Sequence, residues 1–211
     1  MLSKHIIKFI RENKNIIESN QFDQLYQSAL ADKTMYNIGQ LTDALMDAGL
    51  DVLAHMKELP NYFLDSSFQK TIIIPENVQC LRALSFYNSG IQTVELHDNV
   101  ELVERSFFGA YNLKEIKVPF IMNEIPEDCF HSCIQLEKVD LGSIEQIGEG
   151  AFSNCTKLKS LTIPPHVDFI SSTAFEGSYG ITLYCYKSNA DVVKEFVDKY
   201  GVKSNLRCIE L

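Results

Sequence analysis

Cys129-x-His131-x-Cys133 is the group of residues in this chain whose types and spacing most invite a chemical reading. Two thiolates and an imidazole are zinc ligands, but a structural zinc site takes four ligands that converge. Here the two cysteines flank Phe130 at positions that packing explains, and His131, next to a buried ring, should point outward. No metal is expected. Glu127-Asp128 is a carboxylate pair, read as a solvated turn rather than an acid/base pair. The histidines at 5, 55, 97, 131 and 166 fall in different elements, and no nucleophile comes with a base. Neither G-x-G-x-x-G nor G-K-[ST] occurs, so no phosphate cradle is present. The expectation is a protein that is not an enzyme and carries no cofactor.

The elements that place these residues are repeats. Ile121 to Gly142 aligns with Ser143 to Pro164: Phe130 falls on Phe152, Cys133 on Cys155, Leu136 on Leu158, Val139 on Leu161 and Leu141 on Ile163. A period near 22 residues is the mark of a solenoid. Phenylalanines at 63, 86, 108, 130, 152 and 175 extend it to six coils, although the adjacent pair Phe107 and Phe108 leaves open which ring faces inward. The residue before the ring is small in four coils, at Ser85, Cys129, Ala151 and Ala174. Leu158-x-x-Leu161-x-Ile163 has the spacing of a short strand with one buried face. A single coil cannot bury its own apolar side, so the coils must stack.

Ile147-Gly-Glu-Gly-Ala-Phe-Ser-Asn-Cys-Thr-Lys-Leu-Lys-Ser-Leu-Thr-Ile-Pro164 resembles the repeat of the BspA-like leucine-rich repeat family, I-G-x-x-A-F-x-x-C-x-x-L-x-x-L-x-I-P. The resemblance covers roughly residues 58–205. It implies an α/β fold, a right-handed leucine-rich-repeat solenoid with parallel strands on its concave face, and a surface for binding macromolecules. It brings no catalytic residues. The coils around Phe86 and Phe108 depart from the motif by losing the cysteine.

Outside the repeats the period changes. Residues 1–57 read as a small helical bundle that caps the solenoid or binds a partner. Ser3 is the candidate N-cap of a first helix carrying Ile6, Phe9, Ile10, Ile16 and Ile17, interrupted at Asn13. Phe22, Leu25, Tyr26, Ala29 and Leu30 mark a second helix, and Ile38, Leu41, Leu45 and Ala48 a third, stopped by Gly49. Asp51 should cap a short fourth helix over 52–57, ended by Pro60. The repeats occupy residues 58–188. Residues 189–211 read as a second cap: a helix through Val192, Val193, Phe196, Val197 and Tyr200, capped by Asn189 and closed by Gly201, then a last strand over 207–211.

The net charge is −9, and the repeats carry the acid excess, 17 acidic against 9 basic side chains over residues 58–189. Phosphate backbones require clustered lysine and arginine, so nucleic acid is not an expected partner. Lys4, Lys8 and Arg11 interrupt the early apolar stretch, so no secretory signal is visible, and no apolar run has the length to cross a membrane. The six cysteines, at 80, 129, 133, 155, 185 and 208, read as reduced. With them goes the expectation of a cytoplasmic protein.

On the concave strands, residues between the buried ones form two outward columns: Thr71, Thr93, Glu115, Lys138, Ser160, and Ile73, Glu95, Lys117, Asp140, Thr162. Opposite charges fall on adjacent coils, Glu115 by Lys138 and Glu95 by Lys117 by Asp140, which fits a self-neutralised face or a recognition surface. Tyr184 and Tyr186 would be its aromatic anchors, while the convex turns are expected to carry mixed polar residues with no aromatic cluster. The reading is a non-enzymatic scaffold that binds another protein, for instance a stoichiometric binder or inhibitor in a phage–host conflict, with room for a homo-oligomer through the helical region. The alternative is an adhesin-like surface module.

Overall fold

The computed structural model describes residues 4–32, 38–200 and 207–210. Four helices come first: α1 (Lys4–Glu12), α2 (Lys14–Glu18), α3 (Phe22–Ala31) and α4 (Ile38–Asp47). The chain then winds through strands that alternate between two walls. One wall holds β2 (Thr71–Ile73), β4 (Thr93–Glu95), β6 (Glu115–Lys117), β8 (Lys138–Asp140), β10 (Ser160–Thr162) and β12 (Thr182–Cys185). The other holds two-residue strands: β1 (Glu58–Leu59), β3 (Cys80–Leu81), β5 (Glu101–Leu102), β7 (Glu124–Ile125), β9 (Gln146–Ile147) and β11 (Phe169–Ile170). Helix α5 (Ala190–Tyr200) and strand β13 (Arg207–Glu210) follow. All strand pairings among the described residues are parallel, as in a leucine-rich-repeat solenoid. The concave sheet runs β2-β4-β6-β8 and then β10-β12-β13, so β13 adds a seventh strand to the six repeats.

The third wall has no strands and is built from turns. In most coils it places two residues in the left-handed region, four apart: Leu84 and Asn88, Arg105 and Gly109, Asp128 and Ser132, Gly150 and Asn154. Each non-glycine residue there costs about 1–2 kcal/mol, which the ladder between coils offsets. In that ladder the N–H of Phe86 donates to Ser106 O, Phe107 to Cys129 O, Phe130 to Ala151 O and Phe152 to Ala174 O.

This ladder settles the choice left open between Phe107 and Phe108 and corrects the sequence phasing at Phe63. Phe107, not Phe108, belongs to the core column: it is fully buried and stacks between Phe86 (4.5 Å) and Phe130 (5.4 Å). In the first coil the equivalent residue is Leu64, whose N–H donates to Ser85 O. Phe63 stands where later coils have serine, cysteine or alanine. It can be large because its neighbour is the helical cap rather than another coil, and its ring meets Tyr26 at 5.2 Å. The stacked column runs Phe86, Phe107, Phe130, Phe152, Phe175 and ends edge-on at Phe196 of α5.

The cap is held by polar as well as apolar contacts. Thr42 Oγ1 donates to Phe63 O at 2.6 Å and lies 2.5 Å from Tyr26 Oη. Buried Asp43 accepts from Ser67 Oγ (2.6 Å) and Phe68 N (2.8 Å). Asn77 donates to the carbonyls of Leu53 and Met56, tying the segment after α4 to the solenoid. Asn13 splits the expected first helix in two, its side chain donating to Phe9 O. Gly49, at φ +79°, ends α4 with N–H groups of 49 and 50 reaching back to Met46 and Leu45. The fourth helix shrinks to a 3-10 turn, Leu53–His55, with Asp51 Oδ1 accepting from Ala54 N. At the other end, Asn189 does not cap α5 with its side chain. That side chain accepts from Tyr186 N and donates to Pro164 O, while its backbone carbonyl accepts from Val193 N. The expected helix cap at Ser3 and helix stop at Gly201 lie outside the described residues.

Removal of residues 1–57 should therefore yield an aggregating solenoid, because it strips cover from Phe63 and takes away the acceptors of the Ser67 hydroxyl and the Asn77 amide. Light scattering of the truncated protein checks this; a soluble, folded monomer would show the helical region to be an independent module.

Candidate functional site

Alternation along each concave strand turns every second side chain outward. Ile72, Val94, Ile116, Leu161 and Leu183 face the core, and the residues between them form the two columns expected. The register places Thr71, Thr93, Glu115 and Lys138 side by side. Ile73 neighbours Glu95, Lys117 neighbours Asp140, and Thr162 neighbours Tyr184. Thr93, Glu95, Glu115, Lys117, Lys138 and Asp140 border a trough of about 540 Å³ across β4, β6 and β8.

The charges of this trough are less spent than adjacency suggests. Lys117 Nζ meets Asp98 at 3.4 Å, in the loop beyond β4, rather than Glu95 or Asp140. Asp140 Oδ1 accepts from Gly142 N. Among the described residues Glu95, Glu115 and Lys138 make no ion pair within 4 Å. The strands hold the backbones in register, and the side chains extend into solvent instead of folding onto one another.

The tyrosines differ from expectation in one respect. Leu183 and Cys185 are buried and Tyr186 is 40% exposed, but Tyr184 does not end the sheet. Ile209 of β13 lies beyond it, so Tyr184 is half-buried between Thr162 and Ile209. The outward column thus begins at Ile73, 64% exposed, and ends at Ile209, 46% exposed, with the polar and charged residues between.

The Cys129–His131–Cys133 group diverges. Cys133 Sγ lies inside and donates to Phe107 O at 3.2 Å, and Cys155 Sγ repeats the contact to Phe130 O. Ser178 Oγ does the same to Phe152 O. The slot therefore selects a small donor for the carbonyl of the preceding coil's aromatic residue. Burial pushes the Cys129 and Cys133 thiols well up, and that of Cys155 to about 12, so these are inert packing groups. The His131 ring lies outside, stacked on Phe108 at 4.6 Å and 7°, with Nδ1 3.2 Å from Asp128 Oδ1. Arg105 ties Asp128 and Glu127 together, at 3.2 and 2.8 Å.

Phe108 and His131 belong to a second aromatic row that the sequence reading missed and that corrects its account of the convex turns. Tyr87 meets Tyr62, Phe108 and Tyr111 at 6.3–6.4 Å. Its ring lies against Gly109, where a Cβ would come within 2.9 Å of two ring carbons. The available signal was the residue after each core aromatic, Tyr87, Phe108 and His131, which appears only once Phe107 is placed inward. Phe108 stacks on His131 and, more loosely, on Tyr87, while Tyr62 meets Tyr87 edge-on, so the row ties the turns of neighbouring coils together.

Six copies of the BspA type leucine rich repeat region match over residues 57–182. The chain belongs to the BspA-type leucine-rich repeat family. Solved leucine-rich repeat structures share the fold. A Treponema pallidum leucine-rich repeat protein is 24% identical, with TM-score 0.53 over 56% of this chain and 59% of its own. A Bacteroides ovatus leucine-rich repeat protein is 19% identical, with TM-score 0.57 over 74% and 46%. A leucine-rich cell surface protein of Faecalibacterium prausnitzii is 22% identical, with TM-score 0.54 over 62% and 37%. The chain thus spans between about a third and three fifths of the length of these relatives. No curated protein shows significant sequence similarity to it.

Proposed function

We propose that this BspA-type chain is a non-enzymatic scaffold that binds another protein on its concave sheet. The observation that carries the reading is the uncommitted charge of the trough: Glu95, Glu115 and Lys138 stand in register without ion pairs, between exposed isoleucines at both ends of the column. Charges not consumed within a face can select a partner's charges, and the apolar ends and Tyr184 supply area to bury. The partner is then a protein surface with mixed charge at its centre. A stoichiometric binder or inhibitor acting in a reducing compartment fits this reading, supported by thiols used as packing groups. The adhesin-like alternative draws on the likeness to a cell surface protein, which at 22% identity concerns the fold alone.

The test is affinity capture from cells of the source organism, followed by titration of the captured protein. Tyr184→Ala with Tyr186→Ala should weaken binding by about 2 kcal/mol or more, the hot-spot threshold. Lys117→Glu should act mainly on the association rate and its salt dependence. Unchanged affinity in both variants, with circular dichroism intact, would move the site off the concave sheet.

A further inference from the structure

Cys185 and Cys208 stand apart from the other cysteines. Strand β13 pairs in parallel with β12, Leu183 beside Cys208 and Cys185 beside Glu210. Cys208 is therefore the diagonal neighbour of Cys185 on the core-facing side, and the two Sγ atoms lie 3.2 Å apart. A disulfide needs about 2.05 Å, so closure asks for a shift of little more than an ångström in the last strand of the sheet. Cys133 and Cys155, by contrast, aim their sulfurs at backbone carbonyls. Cys185 is buried, whereas Cys208 is partly exposed, so Cys208 is the member of the pair nearer to solvent.

We propose that Cys185 and Cys208 are a redox-active dithiol, closed by exchange with a low-molecular-weight disulfide such as oxidised glutathione. The Cys208 thiolate attacks the small disulfide, forming a mixed disulfide and expelling one small thiolate. The Cys185 thiolate then attacks Cys208 Sγ, forming the internal bond and expelling the second. Two protein thiols are oxidised and one small disulfide is reduced to two thiols, which take up the two protons. The bond links residues 23 apart in sequence and encloses α5, whose Phe196 closes the aromatic column against Phe175 at 5.9 Å. Oxidation thereby locks β13, already paired with β12, onto the open end of the core; in the reduced form that strand is held without the covalent link.

The full chain, reduced and then incubated with oxidised glutathione, tests this. Its mass should fall by about 2 Da, and thiol titration in denaturant should drop from six to four. Digestion should yield one linked peptide pair joining Cys185 to Cys208, and amide exchange in β13 should slow by about tenfold or more. Cys208→Ser should keep its remaining thiols and show no linked pair. The proposal is overturned if all six thiols persist, if glutathione remains attached to Cys208 unresolved, if the linked pair involves other cysteines, or if Cys208→Ser loses two thiols as readily as the parent.

Discussion

Phe152→Ala should destabilise the solenoid by about 3–5 kcal/mol, the range for emptying a buried aromatic site. The ring is fully buried and stacked on both sides, 5.4 Å from Phe130 and 5.5 Å from Phe175, so the void it leaves spans two coil interfaces. Stability in a repeat array is the sum of coil and interface terms, so losing two interfaces in mid-array also separates the halves. Urea unfolding should show a lower midpoint and a broader transition. The neighbouring pair sharpens the test. Phe107→Ala should cost as much as Phe152→Ala, while Phe108→Ala, on the partly exposed outer row, should cost clearly less. Equal losses at 107 and 108 would refute the inward placement of Phe107.

Gly39→Ala should destabilise the cap, against what helix propensity alone predicts. Alanine in a helix interior is favoured over glycine by about 1 kcal/mol. Here Gly39 is where α4 lies directly on the first coil: a Cβ would fall within contact distance of Asp65 O and Leu64 C, and 2.7 Å from Asp65 N. These are backbone atoms that cannot rotate away. Helix α4 must back off, weakening the bonds of Thr42 to Phe63 O and of Asp43 to Ser67 and Phe68. Overpacking of this kind costs about 1–3 kcal/mol and outweighs the propensity gain. Urea unfolding of Gly39→Ala should separate an early cap transition from the solenoid's own. A stabilised variant would mean that α4 does not rest on Leu64–Asp65. Ser28→Ala, which removes only a solvent-exposed bond from the half-buried Ser28 to Gln24 O within α3, serves as the control and should be near neutral.

The period of the repeat, and with it the solenoid, was legible in the sequence because stacking imposes the same burial on every coil. Ile125, Ile147 and Ile170 recur for one wall, Leu136 and Leu158 for another, and the L-x-x-L-x-I spacing marks the strand. Outward columns followed from alternation alone, and the concave residues stand where that alternation puts them. Contacts outside the period were not legible. Phe63 looked like a member of the aromatic column because its type and spacing match; its partner is Tyr26 of a helix with a different periodicity. Phe107 and Phe108 are identical in type, and only the hydrogen-bond ladder from Phe107 N to Cys129 O decides which ring turns inward. Lys117 found Asp98 rather than Asp140, since long side chains reach past their ladder neighbours into loops whose course no pattern fixes. The nearness of Cys185 and Cys208 depends on how α5 returns the chain to the sheet edge. Local periodicity thus determined which faces are buried in each coil. Tertiary packing decided which long-range partners meet, because those contacts join segments that share no period.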